Sequence, residues 1–484
     1  MRQDHFMRIQ PSLTLLGEAQ KDEIHGRSLE ILERTGNLID EEETLRMLKD
    51  AGCWVKDGNR VFIPGRVVEE ALKSVPKRIP VANRKGEPAL CLEERKTYFG
   101  TGSETINVID IDTGLRRKAL LDDVRKATRL SDGLEHIDFI MSMGMADDVP
   151  AVLSDRYQFA AMVQNTTKPI MFTAWDREGL EDIYRMAVAV AGGEAELRRK
   201  PFLMHYAEPI APFKHPKDSL EKLLFCAEKE IPVEYHCISM AGASGPATLL
   251  GSFVQANARM LSGVVIHQLK RRGAPLIVQS PVIFLDMQTS LMPYFGPDWV
   301  LSALLSKEMA LYYGIPTFGK AGATDSKLLD QQAGIEIGMS VLAEGLVGNN
   351  LIHDLGYLEM GLTSSLASIV MCNEVVSHVK RILRGIDFSP EHMAVEAIVE
   401  AGPDGNFFSS DHTVKHFRQE AWFPKLFDRN AYDNWTALGG KTLLDKATDM
   451  ARSLLARHEA APLAGEVVLE VEAILKKASQ RKNR

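Results

Sequence analysis

A chain of 484 residues, 45% hydrophobic and 25% charged, holds enough apolar side chains for one large core with appended segments. Its formal charge of -8 and its pI near 6.0 offer no general attraction for phosphates, and no local basic patch compensates, which argues against nucleic-acid binding. Five scattered cysteines without Cys-x-x-Cys spacing fit a reducing compartment. The N-terminus lacks the apolar core of a signal peptide, and no apolar stretch approaches the ~20 residues that cross a bilayer, so the expected location is cytoplasmic, with no membrane partner.

In chain order, residues 1–90 read as an N-terminal helical cap with helices at 18–36, 41–51 and 66–76 and a short strand around 61–63. From 91 to 390, short strand-like runs alternate with helix-length amphipathic stretches, the pattern of parallel strands joined by crossover helices. The expected strands are 98–103, 139–144, 169–175, 202–208, 233–239, 276–280, 317–321 and 351–355. Gly245-Pro246 opens a helix running toward Gly273, and Pro297-Asp298 opens another that stops at Gly314. Thr324, Asp325 and Ser326 supply capping oxygens for a third that runs to about Gly345. This is the signature of an α/β fold, a (β/α)8 TIM barrel; an open doubly wound sheet is the rival, but no Gly-x-Gly-x-x-Gly follows the first strand. Residues 391–484 read as a C-terminal helical extension packed on the barrel, with Trp422, Phe423, Phe427, Tyr432 and Trp435 as packing aromatics and two terminal helices after 441.

In such barrels the catalytic groups stand at the C-terminal ends of the strands, so the polar residues there are the candidates. His353 and Glu208 are the candidate catalytic residues; Tyr98, Tyr206, Tyr235, His236, Gln279 and Lys320 are the candidate substrate-binding residues. A buried lysine needs a carboxylate partner such as Glu208 or a chemical role, and both remain open for Lys320. His236 and Cys237 point to opposite faces of one strand, no His-Glu-x-x-His or cysteine pair is present, and a metal site is not expected. The Gly-x-Ser-x-Gly elbow of a serine nucleophile is absent. Aromatic residues at the expected mouth, among them Tyr98, Trp175, Tyr206, Tyr235, Tyr294 and Tyr357, suit a cage for an alkylated ammonium ion.

Four stretches then carry a resemblance. Tyr98-Phe99-Gly100-Thr101-Gly102 with Asp112-Thr113-Gly114-Leu115-Arg116-Arg117, the run from Met240 to Thr248, Asp286-Met287-Gln288-Thr289, and the run from Thr324 to Gly334 together resemble the trimethylamine methyltransferase family, more narrowly its members without pyrrolysine. The resemblance covers about residues 10 to 470 and implies a (β/α)8 barrel that transfers a methyl group from a quaternary amine such as glycine betaine to the Co(I) of a separate corrinoid protein. It implies no cofactor held tightly by this chain, a corrinoid (cobalamin) supplied by the partner, and a possible homo-oligomer. No pyrrolysine stands in this sequence, which weighs against trimethylamine itself. A Schiff-base lyase or aldolase using Lys320, and a quaternary-amine-binding protein without turnover, are the alternatives.

Overall fold

The computed structural model describes residues 8–482. Every expected central segment except 139–144 forms a strand: Tyr98–Thr101, Ile170–Phe172, Leu203–Ala207, Val233–His236, Leu276–Gln279, Phe318–Lys320 and Leu351–Leu355. The segment at 139–144 is reduced to single bridges. Ile170–Phe172, Leu203–Ala207, Val233–His236 and Leu276–Gln279 pair side by side in parallel, as do Phe318–Lys320, Leu351–Leu355 and Tyr98–Thr101. Parallel bridges Gly100↔Phe139, Ile140↔Ile170 and Val278↔Thr317 connect the two groups, so the pairings run in chain order through all eight segments and return to the first. Helices occupy each crossover, among them Leu121–Asp132, Ser154–Asn165, Arg177–Ala191, Lys217–Lys229, Leu249–Lys270, Pro297–Tyr313 and Gln331–Val347, and Leu366–Leu383 follows the eighth segment. The fold is therefore α/β.

Strand side chains alternate between two buried environments. Ile170, Leu203, Val233, Val278 and Ile352 pack outward into the layer shared with the helices. Met171, Met204, Ile277, Phe318 and Leu351 face inward and meet Ile79, Val81, Leu90 and Leu92. Those four come from an antiparallel hairpin, Ile79–Ala82 with Pro88–Leu92, which lies against the N-terminal ends of the strands and closes that side of the interior with apolar side chains. Burial of each such side chain contributes roughly 1.5–3 kcal/mol.

The N-terminal unit corrects the expectation of a helical cap. The three helices are present as Glu18–Arg34, Glu42–Asp50 and Gly65–Leu72, but they enclose a sheet ordered Lys214–His215, Asn37–Ile39, Arg60–Phe62, Trp54–Lys56. Strands of three residues are too short to display a period of two, so only the one around Val61 is visible in the pattern. The helix Leu249–Lys270 is a second correction: among the described residues it alone is long and apolar enough to cross a membrane. Of its most apolar window 83% is buried, because the helix is wedged between the N-terminal helices and the fifth and sixth strands. Two expected helix starts also move. Thr248 rather than Gly245 precedes Leu249–Lys270, and Asp330 rather than Thr324 caps Gln331–Val347 by accepting from the Ala333 amide.

The two terminal helices form as Leu443–Arg457 and Gly465–Lys482, the first packed on Leu366–Leu383 and the second on Arg177–Ala191. Arg481 binds Glu178 at 2.9 Å and also Asp182, which ties the last helix down. Of the expected packing aromatics, Trp422 stacks on His378 at 4.7 Å and reaches Phe427, whereas Phe423 and Tyr432 stand exposed.

Candidate active site

The alternation of each strand decides which expected site residues reach the interior. On the fourth strand Leu203 and Ala207 face the helices, so Met204 and Tyr206 face inward. On the fifth, Val233 and Tyr235 face outward and Glu234 and His236 inward. Tyr206 lies in register with Glu234, His236 with Gln279, and Lys320 with His353. The rings confirm convergence across the interior: Tyr206 lies 5.4 Å from His236 and 6.0 Å from Phe318, and Phe318 lies 4.3 Å from His353. Glu208, at the rim, accepts a hydrogen bond from the Tyr206 hydroxyl at 3.2 Å. The structure thus gathers Tyr206, Glu208, His236, Gln279, Lys320 and His353 at one end of the strands.

Tyr98 and Tyr235 do not join them. Tyr98 begins its strand rather than ending it, and its hydroxyl accepts the Cys91 amide of the apolar hairpin at 3.1 Å, at the opposite end of the interior. Tyr235 points into the helix layer, where its hydroxyl bonds His215 Nδ1 at 2.7 Å and its ring stacks on that imidazole. A Cβ at Gly263 would come within 2.3 Å of the Tyr235 ring, so glycine at that point of the helix makes the outward placement possible.

The gathered groups lie under unusual electrostatic conditions. Burial is the largest cause in each case. It raises the Glu234 carboxyl far above the ordinary range, with Glu208 adding repulsion, and lowers His236 well below the ordinary imidazole value, with His353 and Lys320 adding to the effect. Glu234 and His236 are 3.3 Å apart and both shifts favour their neutral forms. Glu208 is raised in the same direction by burial, against its bond from Tyr206. Burial brings the Lys320 ammonium down to about 8, opposed by the nearby charges of Asp354, Asp325 and Glu344.

Lys320 forms no ion pair with Glu208. Its Nζ sits 3.9 Å from the Trp299 ring and 4.4 Å from the Tyr294 ring, with no hydrogen-bond partner among the described residues. Trp299 is held in place by its indole N–H, which donates to Glu344 at 2.9 Å, and Glu344 in turn accepts from Asn349. Tyr294 is anchored through its backbone amide, which donates to Asp325. Trp299 and Glu344 escape a search of strand ends because both stand in helices, Pro297–Tyr313 and Gln331–Val347. The available signal is a tryptophan in the first turn of the helix after the sixth strand.

Several buried polar atoms here lack a hydrogen-bond partner, namely both polar side-chain atoms of Gln279, Lys320 Nζ and Glu234 Oε2, while His353 Nδ1 lies 2.8 Å from Asp354 without the alignment of a hydrogen bond. Each such group costs about 1–3 kcal/mol unless a ligand or water satisfies it. They converge with the rings of Tyr206, Phe318, Tyr294 and Trp299, so charged, polar and aromatic groups meet at one end of the strands. A separate cavity of about 690 Å³ lies outside the strands, between residues 109–114, 327–330 and the helix Leu443–Arg457.

Comparison with known proteins places the chain. The family model for trimethylamine methyltransferase matches residues 1–482. The trimethylamine methyltransferase of Desulfitobacterium hafniense (strain DSM 10664 / DCB-2) is 30% identical over 453 residues, 93% of this chain and 91% of that protein. The glycine betaine methyltransferase of Desulfitobacterium hafniense (strain Y51) is 29% identical over 427 residues, covering 88% and 89%. The crystal structure of the monomethylamine methyltransferase of Methanosarcina barkeri superposes with a TM-score of 0.53 at 10% identity, over 99% of this chain and 90% of that one, so the fold is shared. The chain belongs to the trimethylamine methyltransferase family.

Proposed function

We propose that the eight parallel segments close into a (β/α)8 barrel spanning residues 91–390, and that its mouth takes a quaternary amine of the glycine betaine type. One N-methyl group passes from that amine to the Co(I) of a separate corrinoid protein. In this reaction the electron pair of Co(I) forms the new bond to the methyl carbon, and the C–N pair leaves with nitrogen. The leaving group is a neutral tertiary amine, so no proton has to be delivered to it. What the protein must supply is alignment, which is worth several kcal/mol of barrier, on the order of 7 in favourable cases.

The observation that carries this reading is the convergence of unpartnered groups and rings: Lys320 over the Tyr294 ring, and Gln279 in register with His236, whose ring lies against Tyr206. Tyr206 and Tyr294 offer ring faces to the trimethylammonium head. Lys320, Gln279 and His353 offer hydrogen-bond donors to a carboxylate. Glu208 adds negative charge at the rim, and the similarity to a glycine betaine methyltransferase agrees with a quaternary substrate. The test is incubation of the protein with cob(I)alamin and a panel of methylated amines. The reading expects the spectrum of methylcob(III)alamin with quaternary amines bearing a carboxylate; no methyl transfer from any member of the panel overturns it.

One observation favours a second reading. A lysine brought down to about 8 by burial is a competent Schiff-base nucleophile, as in a lyase of the aldolase type. Borohydride trapping of a carbonyl substrate on Lys320, without methyl transfer, selects that reading over the first.

A further inference from the structure

The eighth strand departs from regular pairing at the mouth. Ile352 pairs with Phe99 and Leu355 with Thr101, so His353 and Asp354 together oppose the single residue Gly100. This bulge breaks the alternation, and consecutive residues can then serve the same side of the sheet. Asp354 accommodates it with φ of 76°, a left-handed conformation that few residues besides glycine, asparagine and aspartate adopt.

The side chain presented in this way is itself an anomaly. Asp354 is 1% exposed, and neither carboxylate oxygen has a hydrogen-bond partner among the described residues. His353 Nδ1 approaches to 2.8 Å but lacks the alignment of a hydrogen bond. Lys320 feels the charge of Asp354, yet the two form no hydrogen bond; the ammonium stays over Trp299 and Tyr294. Tyr294 and Tyr357, whose rings lie 6.2 Å apart and edge to face, feel it as well. A buried carboxylate held against the neighbouring imidazole without a hydrogen bond, in the field of an ammonium that also lacks one, is expensive to desolvate.

We infer that Asp354 is the substrate-binding counter-charge of the site, aimed by the strand bulge so that a ligand's ammonium group rests between its carboxylate and the rings of Tyr294 and Tyr357. The inference rests on the quaternary-amine reading and assigns the cation-facing pole of that site to Asp354. The bulge explains why a left-handed aspartate is tolerated here: the backbone turn is what brings the carboxylate inward.

The experiment measures binding by calorimetry, in the absence of any corrinoid, for two probes of the same shape: glycine betaine and its uncharged-head isostere, 3,3-dimethylbutanoate. Wild type is expected to prefer the betaine. Asp354→Asn keeps the size and, as asparagine, accepts the left-handed conformation. Its preference is expected to fall at least about tenfold, through weaker betaine binding with isostere binding retained. Asp354→Gly, free of conformational cost, should behave likewise, and thermal unfolding confirms that both variants fold. An unchanged preference in both variants overturns the role of Asp354 while leaving the quaternary-amine reading intact. If wild type binds neither probe, or binds them equally, the reading of the substrate falls, and the role of Asp354 with it.

Discussion

Burial brings the Lys320 ammonium to about 8, with two aromatic faces where hydrogen-bond acceptors would normally stand. Below that pH the side chain is a cation able to hold a carboxylate; as pH rises through about 8 the charge is lost. On the proposed function, kcat/KM for a carboxylate-bearing amine should fall above pH 8 by about tenfold per unit, since this parameter reports the free protein's ionisations. In Lys320→Arg the guanidinium keeps its charge and the fall should vanish from that range. The same shift bears on stability with the opposite sign. Folding disfavours the charged lysine, so its penalty is complete below about pH 8 and fades as pH climbs toward the ordinary lysine value. Lys320→Met should therefore stabilise the protein at pH 7, on the order of 2 kcal/mol, and less at pH 10, which denaturant titration at the two pH values checks. Tyr235 marks the contrast. Tyr235→Phe should cost about 1 kcal/mol through loss of its bond with His215, yet leave KM unchanged, whereas Tyr206→Ala should raise KM.

At the scale of elements, the hairpin Ile79–Ala82 with Pro88–Leu92 closes the interior from the side opposite the candidate site. Leu92 is fully buried there, and Leu92→Ala should lower stability by about 2–5 kcal/mol, seen as an earlier denaturant midpoint with an unchanged slope. Much of this level was legible in the sequence. Runs such as 202–208 and 351–355 announce strands because they are apolar, short and bounded by helical stretches. Their inward and outward faces were not legible, because both faces of a parallel strand are buried and the polar-out alternation is lost. That is why Tyr206 and Tyr235 looked equivalent, and why only the structure separates them. Tyr98 misleads for a simpler reason: it is the first residue of its strand, in the expected span 98–103 as in the observed Tyr98–Thr101, and so lies away from the C-terminal end. The bulge at His353 and Asp354 depends on pairing with Gly100, a contact between residues far apart in the chain that no local pattern encodes.

The whole molecule sets a parallel α/β core between an N-terminal unit of three helices and a small sheet and two C-terminal helices, in a member of the trimethylamine methyltransferase family. The long helix Leu249–Lys270 joins the first two parts, and packing on both sides buries its apolar residues together with Asn257 and Arg259. On this account the groups gathered at the C-terminal ends of the strands bind the substrate, while the 690 Å³ cavity near the helix Leu443–Arg457 does not. Crystals grown with glycine betaine test that claim most directly. The account predicts electron density with the ammonium nitrogen within about 6 Å of the Tyr206 or Tyr294 ring and the carboxylate toward Lys320 and Gln279. Density for the amine in the outer cavity, with none among those groups, would contradict it.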